Sequence, residues 1–232
     1  MKLIIALVLS IAFAILLRGP IRKVPWVFYL LAVIIDVIYL TGAALSVARQ
    51  VALVGFPYVM RGLFAISFFI IVMYIGVLDE QNPVRKMLMP IRGELSVIAC
   101  ILAFGHAINY LQSYLTVIFG YSSMVAAHIL IGMIIALIIL ILLIPLTITS
   151  FKSIKSRMNA DTWKRLQKAS YVFFGLIYVH VLFILVPSAL AGAPEAIISI
   201  VLYSVIFVLY AVLRVRRAVI DSKKGEGKQA EA

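Results

Sequence analysis

Long apolar stretches follow one another along almost the whole chain, separated only by short polar segments. Hydrophobic residues make up 65% of the sequence, well above the roughly 45–50% of a soluble domain. The seven stretches are residues 3–17, 25–46, 54–78, 94–118, 124–149, 168–189 and 195–213. A helix needs about 20 apolar residues to cross a bilayer, and no alternating barrel pattern occurs. The sequence therefore predicts an all-α, polytopic membrane helical bundle of about seven transmembrane helices.

Lysines and arginines are concentrated on one side of this predicted topology. Of the 21, all but Lys2, Arg49 and Arg61 follow the first, third, fifth or last stretch. Because cytoplasmic loops carry the excess of positive charge, the N-terminus is predicted outside and the C-terminus in the cytoplasm. The localisation is then a bacterial or archaeal cell membrane. The net charge of +12 indicates topology and lipid contact here, and no nucleic-acid partner is expected.

The two ends of the chain are interpreted separately. Lys2 and the apolar run after it resemble a signal peptide, but basic residues follow directly and no small-x-small cleavage site ends the run. The run is therefore predicted to be a retained first helix. Residues 221–232 are polar and predicted to be a disordered cytoplasmic tail, which leaves residues 1–220 as one transmembrane domain.

Cysteine usage limits the possible chemistry. The single cysteine, Cys100, lies in an apolar run. It excludes a disulfide framework, a Cys-based zinc site and a Cys-ligated iron–sulfur cluster within this chain. No C-x-x-C-H sequence occurs, so a haem would not be covalently attached.

All three histidines, His106, His128 and His180, lie inside apolar stretches. An ionisable group at membrane depth is costly and by default marks a functional site, and imidazole is the usual axial ligand of haem iron. His106 lies 14 residues beyond Arg92, about 21 Å along a helix, and His180 lies 12 residues beyond Lys168, about 18 Å. The two are predicted to be nearly level, in the outer half of the membrane.

Two level imidazoles on parallel helices could hold a haem between them. Ala103, Gly105 and Gly175 are small residues that could leave room for the ring. A lone intramembrane histidine is about as often a hydrogen-bonded structural residue. The role of His128, close to the outer boundary, stays open among a further ligand, a proton donor and a partner for a substrate.

Two further charged residues are candidates for the bundle interior. Arg61 lies near the outer end of the third stretch, and Asp36 lies near the middle of the second. Arg61 could neutralise haem propionates or pair with Asp36, and both alternatives predict an Arg61 side chain that faces inward.

Three stretches carry a resemblance to a known family. They are RGLFAISFFIIVMYIGVL from Arg61, IRGELSVIACILAFGHAINY ending at Tyr110, and TITSF (147–151) continued by WKRLQKASYVFFGLIYVHVLF (163–183). Together they resemble the ferric reductase-like transmembrane domain superfamily, particularly the haem-binding membrane subunits of bacterial methionine sulfoxide reductase systems. The likeness covers about residues 56–213 and implies a six-helix core with one additional helix.

The resemblance implies specific roles. His106 and His180 would be the axial ligands of one b-type haem, Arg61 would match the family's helix-opening arginine, and Trp163 would match the tryptophan of a cytoplasmic loop. Members with two haems have a histidine where this chain has Gln167. One haem is therefore expected.

The same resemblance implies electron transfer across the membrane to an acceptor on the outer side. No GxGxxG motif is present, so the donor would be a separate reductase, a flavoprotein or a quinol. A flavin or quinone near Trp163, Gln167 and the basic loop 152–168 could bridge the inner half, although topology-setting charge also explains that loop.

Two other functions stay open at the level of sequence. A cofactor-free transporter or channel would suit Pro57 and Pro145 within apolar stretches, together with Asp36. A structural anchor subunit of a membrane complex would suit long apolar segments joined by short loops.

Overall fold

The computed structural model of the protein describes residues 2–43, 46, 49–121 and 126–230, with no strand among them. The helices are α1 (Lys2–Leu16), α2 (Arg18–Lys23), α3 (Pro25–Leu40), α4 (Arg49–Val59), α5 (Leu63–Val77), α6 (Pro83–Leu88), α7 (Arg92–Tyr121), α8 (Ala127–Ile148), α9 (Lys152–Lys155), α10 (Ala160–Gln167), α11 (Ala169–Leu190) and α12 (Pro194–Ala230). A 3-10 helix, Met89–Ile91, joins α6 to α7. Parts of three predicted segments, residues 44–45, 124–125 and 231–232, lie outside the described residues. The all-α class is confirmed.

Several of these helices match the dimensions of a membrane. The helical segments of the described chain that are long and apolar enough to cross one are Pro83–Leu115, Ala127–Ile148, Ala160–Leu190 and Pro194–Ser222. α4 and α5 together pass the same test as one bent span, whereas α1 and α3 are shorter apolar helices. Apolar side chains also cover outward faces, with Ile141, Val172 and Val215 each more than half exposed. A helical membrane bundle follows, with four to five spans by length; the predicted seven stays a prediction.

The third predicted span is not one continuous helix. The stretch 54–78 was expected to run unbroken, but α4 ends at Val59, α5 begins at Leu63, and the two are bent by 41°. Gly62 has a φ of +73° between them. That left-handed conformation ends a helical path and is accessible to glycine without steric cost.

The last helix is longer than the sequence predicted. The stretch 195–213 and the tail from residue 221 were expected to differ in order, yet α12 continues from Pro194 through Ala230. The structure describes residues 221–230 as part of this helix, and the disordered-tail prediction stays a prediction. Arg217 pairs with Asp221 at 3.0 Å, one turn further along the same helix, and such i,i+4 ion pairs favour helical continuation at this point.

Five helices form a closed ring of contacts. α5 packs on α7, α7 on α8, α8 on α11, α11 on α12, and α12 returns to α5. α1 and α4 also pack on α5, and α3 packs on α7. Within the described chain, α7 and α11 make at most marginal contact, so they stand on opposite sides of the ring interior.

The two halves of this ring differ in packing. We call the half containing Arg92, Thr149 and Tyr210 the inner half and the half containing Met60 and Gly132 the outer half, after the predicted orientation. Aromatic rings fill the inner half and the middle. They stack between α11 and α12 at Phe174–Phe207, with centroids 4.3 Å apart, and meet between α5 and α11 at Phe69–Phe173, 5.0 Å apart.

Burial decreases towards the outer half on α7 and α11, whereas α5 stays buried from Ala65 to Met73. On α7, residues 97–100 are all buried, whereas from Ala103 to Leu115 only Gly105 is buried. On α11, Phe173 and Phe174 are buried and no later residue is. The interior is consequently tight at the inner half and looser where the histidines lie.

Candidate functional site

His106 is held by the break between α4 and α5. Its Nδ1 lies 2.8 Å from the carbonyl oxygen of Met60, and a carbonyl only accepts hydrogen bonds, so Nδ1 carries the proton. Met60 lies just beyond the end of α4, where carbonyls lack a helical partner. A Cβ at Gly62 would lie 3.1 Å from Cγ of His106. The break therefore supplies both the acceptor and the space for this ring.

His180 is held in the same way by a different helix. Its Nδ1 lies 3.0 Å from the carbonyl oxygen of Gly132 on α8, so this Nδ1 also donates. Gly132 is buried, and a Cβ there would lie 3.4 Å from the Cδ1 of Ile184. The small residue allows α8 and α11 to approach closely enough for the bond.

The two histidines share one arrangement. Each Nδ1 donates to a backbone carbonyl, and neither Nε2 has a hydrogen-bond partner among the residues described. Both rings are half-buried, and they are close enough to interact electrostatically. An Nδ1–H bonded to a carbonyl leaves the lone pair on Nε2 and fixes the ring, which is the usual preparation of a histidine for metal ligation.

These donors suit a particular class of iron site. Within the described chain, no group of three or more His, Cys, Asp or Glu side chains could hold a metal ion by itself. A haem iron needs at most two axial ligands from the protein because the macrocycle supplies the other four. His106 on α7 and His180 on α11 are two such candidate donors, and α8 packs against both helices.

His128 lies in the first turn of α8, one turn before Gly132. It is half-buried and forms no hydrogen bond with the described residues. Since residues four apart on a helix share a face, His128 lies on the side of α8 that also presents Gly132. Its role stays a prediction.

The space expected beside Gly105 is already filled. A Cβ at Gly105 would lie 2.3 Å from the Cγ of Asp36, so the carboxyl group of α3 packs against this glycine of α7. A Cβ at Gly175 would meet nothing within 4 Å, and Ala103 is half-buried. The space expected at Gly105 is therefore occupied, whereas Gly175 is exposed, so the open space beside it is not an enclosed cavity.

The predicted inward position of Arg61 is wrong. Its side chain is exposed, and it makes no ion pair with any described residue. It lies in the break before α5, where the chain turns at Gly62. Asp36 is 5% exposed and its Oδ1 has no hydrogen-bond partner among the described residues. The Asp36–Arg61 ion pair is therefore not formed.

Trp163 and Gln167 come together at the inner end of α8. The Nε1 of Trp163 donates to the Thr149 carbonyl at 3.0 Å, and the Nε2 of Gln167 donates to the Thr149 hydroxyl at 3.2 Å. The Lys155 ammonium lies 4.2 Å from the centre of the Trp163 ring. These hydrogen bonds hold α10 against the end of α8. They account for the positions of the Trp163 and Gln167 side chains without a bound cofactor.

Sequence reasoning missed the residues that hold the two histidines. Met60 and Gly132 act through backbone carbonyls, which carry no side-chain signature. Gly62 had a weak signal, because an isolated glycine inside an apolar run can mark a bend.

Comparison with known proteins adds one similarity. No model of a known protein family matches the chain. The chain is 40% identical over 162 residues to a protein of Treponema pallidum (strain Nichols) whose name is "Uncharacterized protein". The match covers 70% of this chain and 44% of that protein, so the chain spans less than half the length of this relative. That name assigns no activity.

Proposed function

We propose that this chain is a b-type cytochrome subunit that transfers electrons across a membrane, with one haem held by His106 and His180. The observation that carries the proposal is the matched pair of imidazoles. Each imidazole has its Nδ1 proton bonded to a backbone carbonyl and its Nε2 free. The two imidazoles interact electrostatically in the outer half of the helix bundle. A bis-histidine haem, when bound, accepts and releases single electrons at a potential that the protein tunes.

The residues of the chain would position and protect that group. The Met60 and Gly132 carbonyls hold the two rings in a single tautomer, which keeps the ligand lone pairs directed away from the backbone. The packed aromatic rings of the inner half exclude water from the cytoplasmic side. The proposal includes seven spans with the N-terminus outside, since α1 and α3 are apolar and the basic residues follow alternate stretches.

The proposed partners follow from this direction of transfer. Electrons would come from a separate reductase, flavoprotein or quinol at the inner side and leave to a redox partner on the outer side. Binding of a flavin or quinone next to Trp163 and Gln167 is not part of the proposal, because Thr149 already satisfies both side chains.

A reduced-minus-oxidised absorbance spectrum of the purified full-length protein tests the proposal. Wild type expressed with sufficient haem should show the band of a low-spin b-type haem, and His106→Ala or His180→Ala should remove it. His128→Ala is the matched control and should keep the band. Haem-free wild type, or a His106→Ala/His180→Ala double variant with an unchanged band, would contradict the assignment. Size-exclusion chromatography of each variant separates loss of haem from loss of fold.

A second candidate function is favoured by Asp36. A carboxyl group that is 5% exposed and lacks a partner for Oδ1 is the kind of group that carries protons or cations through a membrane protein. A cofactor-free transporter would show no haem band, and Asp36→Asn would abolish proton uptake into vesicles that contain the protein. A haem band that survives Asp36→Asn favours the cytochrome instead.

A further inference from the structure

Arg92 is a cation without a carboxylate partner at the inner end of the bundle. It is the first residue of α7 and half-buried, and its Nε donates to the Val72 carbonyl at 2.9 Å. Gly76 leaves the room for it, since a Cβ there would lie 3.3 Å from Nη2. No carboxylate of the described chain pairs with Arg92, and its terminal nitrogens keep accessible surface. The guanidinium group is thus held in place through Nε, while the donors of its two terminal nitrogens are unused.

Two more arginines converge on this position from other helices. Arg85 on α6 is close enough for its charge to repel that of Arg92, and its Nη1 donates to the Leu78 carbonyl at 2.8 Å. Arg214 on α12 lies 4.6 Å from the centre of the Tyr171 ring. We call Arg85, Arg92 and Arg214 the arginine cluster.

A tyrosine connects the cluster across the interior. Tyr210 is buried on α12, and its hydroxyl interacts electrostatically with both Arg92 and Arg214. Three cations, from α6, α7 and α12, and the Tyr210 hydroxyl therefore come together at the inner end of the bundle.

The acidic residues nearby are engaged by other cations. Glu94, only two residues after Arg92, accepts from Lys152 at 2.5 Å. Arg217 binds Glu80 at 2.5 Å and Asp221 at 3.0 Å. None of these acids neutralises the arginine cluster. Cations held together without a counter-ion are costly, so an anion from outside the described chain is needed to make the arrangement favourable.

The geometry points to the phosphate group of an anionic phospholipid, taken from the leaflet that borders the inner half. Guanidinium forks match phosphate oxygens in both geometry and charge. Exposed apolar side chains beside the cluster, Val172 on α11 and Val212 and Val215 on α12, offer a surface for acyl chains. Basic pockets between transmembrane helices on the cytoplasmic side are known to hold such headgroups.

The test is a thermal denaturation titration of the delipidated full-length protein in detergent. Phosphatidylglycerol should raise the melting temperature of wild type, and phosphatidylcholine should not. Arg92→Gln should need about fivefold more phosphatidylglycerol for the same shift, the effect expected for one lost basic contact. Arg216→Gln removes an exposed arginine from the same end of the bundle and should respond like wild type.

Two soluble phosphate compounds distinguish a lipid headgroup from free phosphate as the ligand. Flavin mononucleotide and inorganic phosphate are titrated separately, because they carry the same phosphate chemistry in soluble form. Protection by either one without protection by phosphatidylglycerol overturns the lipid assignment, as does an Arg92→Gln response equal to that of wild type. If Arg92→Gln does not fold, Arg85→Gln and Arg214→Gln decide, and unchanged responses in both reject the proposal.

Discussion

The inner and outer halves of the helix ring differ in how their polar side chains are paired. In the inner half, buried Glu94 is matched by Lys152 at 2.5 Å. In the outer half, His106 and His180 each have one nitrogen bonded and one free, and Asp36 has an oxygen without a partner. Buried polar groups are normally satisfied, so the unpaired atoms of His106, His180 and Asp36 call for a functional reason, as the arginine cluster does in the inner half.

Packing follows the same division. Rings stack at Phe174–Phe207 where the interior is tight, and burial ends on α11 immediately after these residues. Tyr74 adds a hydrogen bond to the Ile206 carbonyl at 2.6 Å, which ties α5 to α12 in this half. The dense aromatic packing that stabilises the bundle therefore lies in the inner half, whereas α7 and α11 are less buried around the histidines.

Gly62→Ala should produce the largest loss of haem, because it alters the helix break that positions His106. Alanine at a φ of +73° costs about 1–2 kcal/mol, and its Cβ would press on the His106 ring from 3.1 Å. Displacing that ring should weaken haem binding roughly 10–100-fold, as loss of a supporting contact does at other metal sites. Haem content per protein, measured by absorbance, gives the result.

Gly42→Ala is the matched control for this prediction. Gly42 has the same φ of +73°, but a Cβ there meets nothing within 4 Å. It should lower the melting temperature to a similar degree and leave haem content unchanged. Equal haem loss in both variants would show that strain, and not contact with His106, is responsible.

Gly105→Ala should have an intermediate effect. The new Cβ would lie 2.3 Å from Cγ of Asp36, so α3 and α7 have to separate, and the free energy of unfolding should fall by about 1–3 kcal/mol. Gly175→Ala is the control, since its Cβ meets nothing, and it should stabilise the helix by up to about 1 kcal/mol. Thermal denaturation in detergent compares them. A Gly105→Ala variant as stable as Gly175→Ala would disprove the close Asp36 contact.

Lys152→Ala should have the smallest effect on the outer site and act only on stability. It leaves the Glu94 carboxylate, 3% exposed, without its partner, at a cost of about 1–3 kcal/mol. Glu94→Gln leaves Lys152, 68% exposed, in contact with water and should cost less than about 1 kcal/mol. Melting temperatures should show this asymmetry while haem content stays constant. Haem loss in either variant would remove the proposed independence of the two halves.

The sequence was sufficient for the helices because apolar length alone defines them. The stretch 168–189 became Ala169–Leu190, within one residue at each end. The break at Gly62 had only a weak signal in the sequence, because the His106 ring that packs against it belongs to α7, which is distant in the chain. The helix α12 extends beyond its apolar stretch, and Arg217 there pairs with Glu80 and Asp221.

For the candidate site, counting helical rise from Arg92 and Lys168 predicted that His106 and His180 are nearly level in the outer half of the membrane. Their depth stays a prediction, and the two imidazoles are close enough to interact electrostatically. The failure at Arg61 has a physical reason: a residue inside a helix break does not keep the side-chain direction of a continuous helix. The charge of Arg61 was therefore not sufficient to predict the direction of its side chain.

The central position of α5 has a consequence for how the protein enters its membrane. Most of its residues end up buried, partly by α1 and α4, which precede it, and partly by helices that are synthesised later, including α7 and α12. Its serine, Ser67, donates to the Leu63 carbonyl at 2.7 Å within the same helix and needs no outside partner. Because α5 is apolar on every side and its polar groups are satisfied internally, it can remain in lipid during translation until the later helices α7 and α12 pack against it.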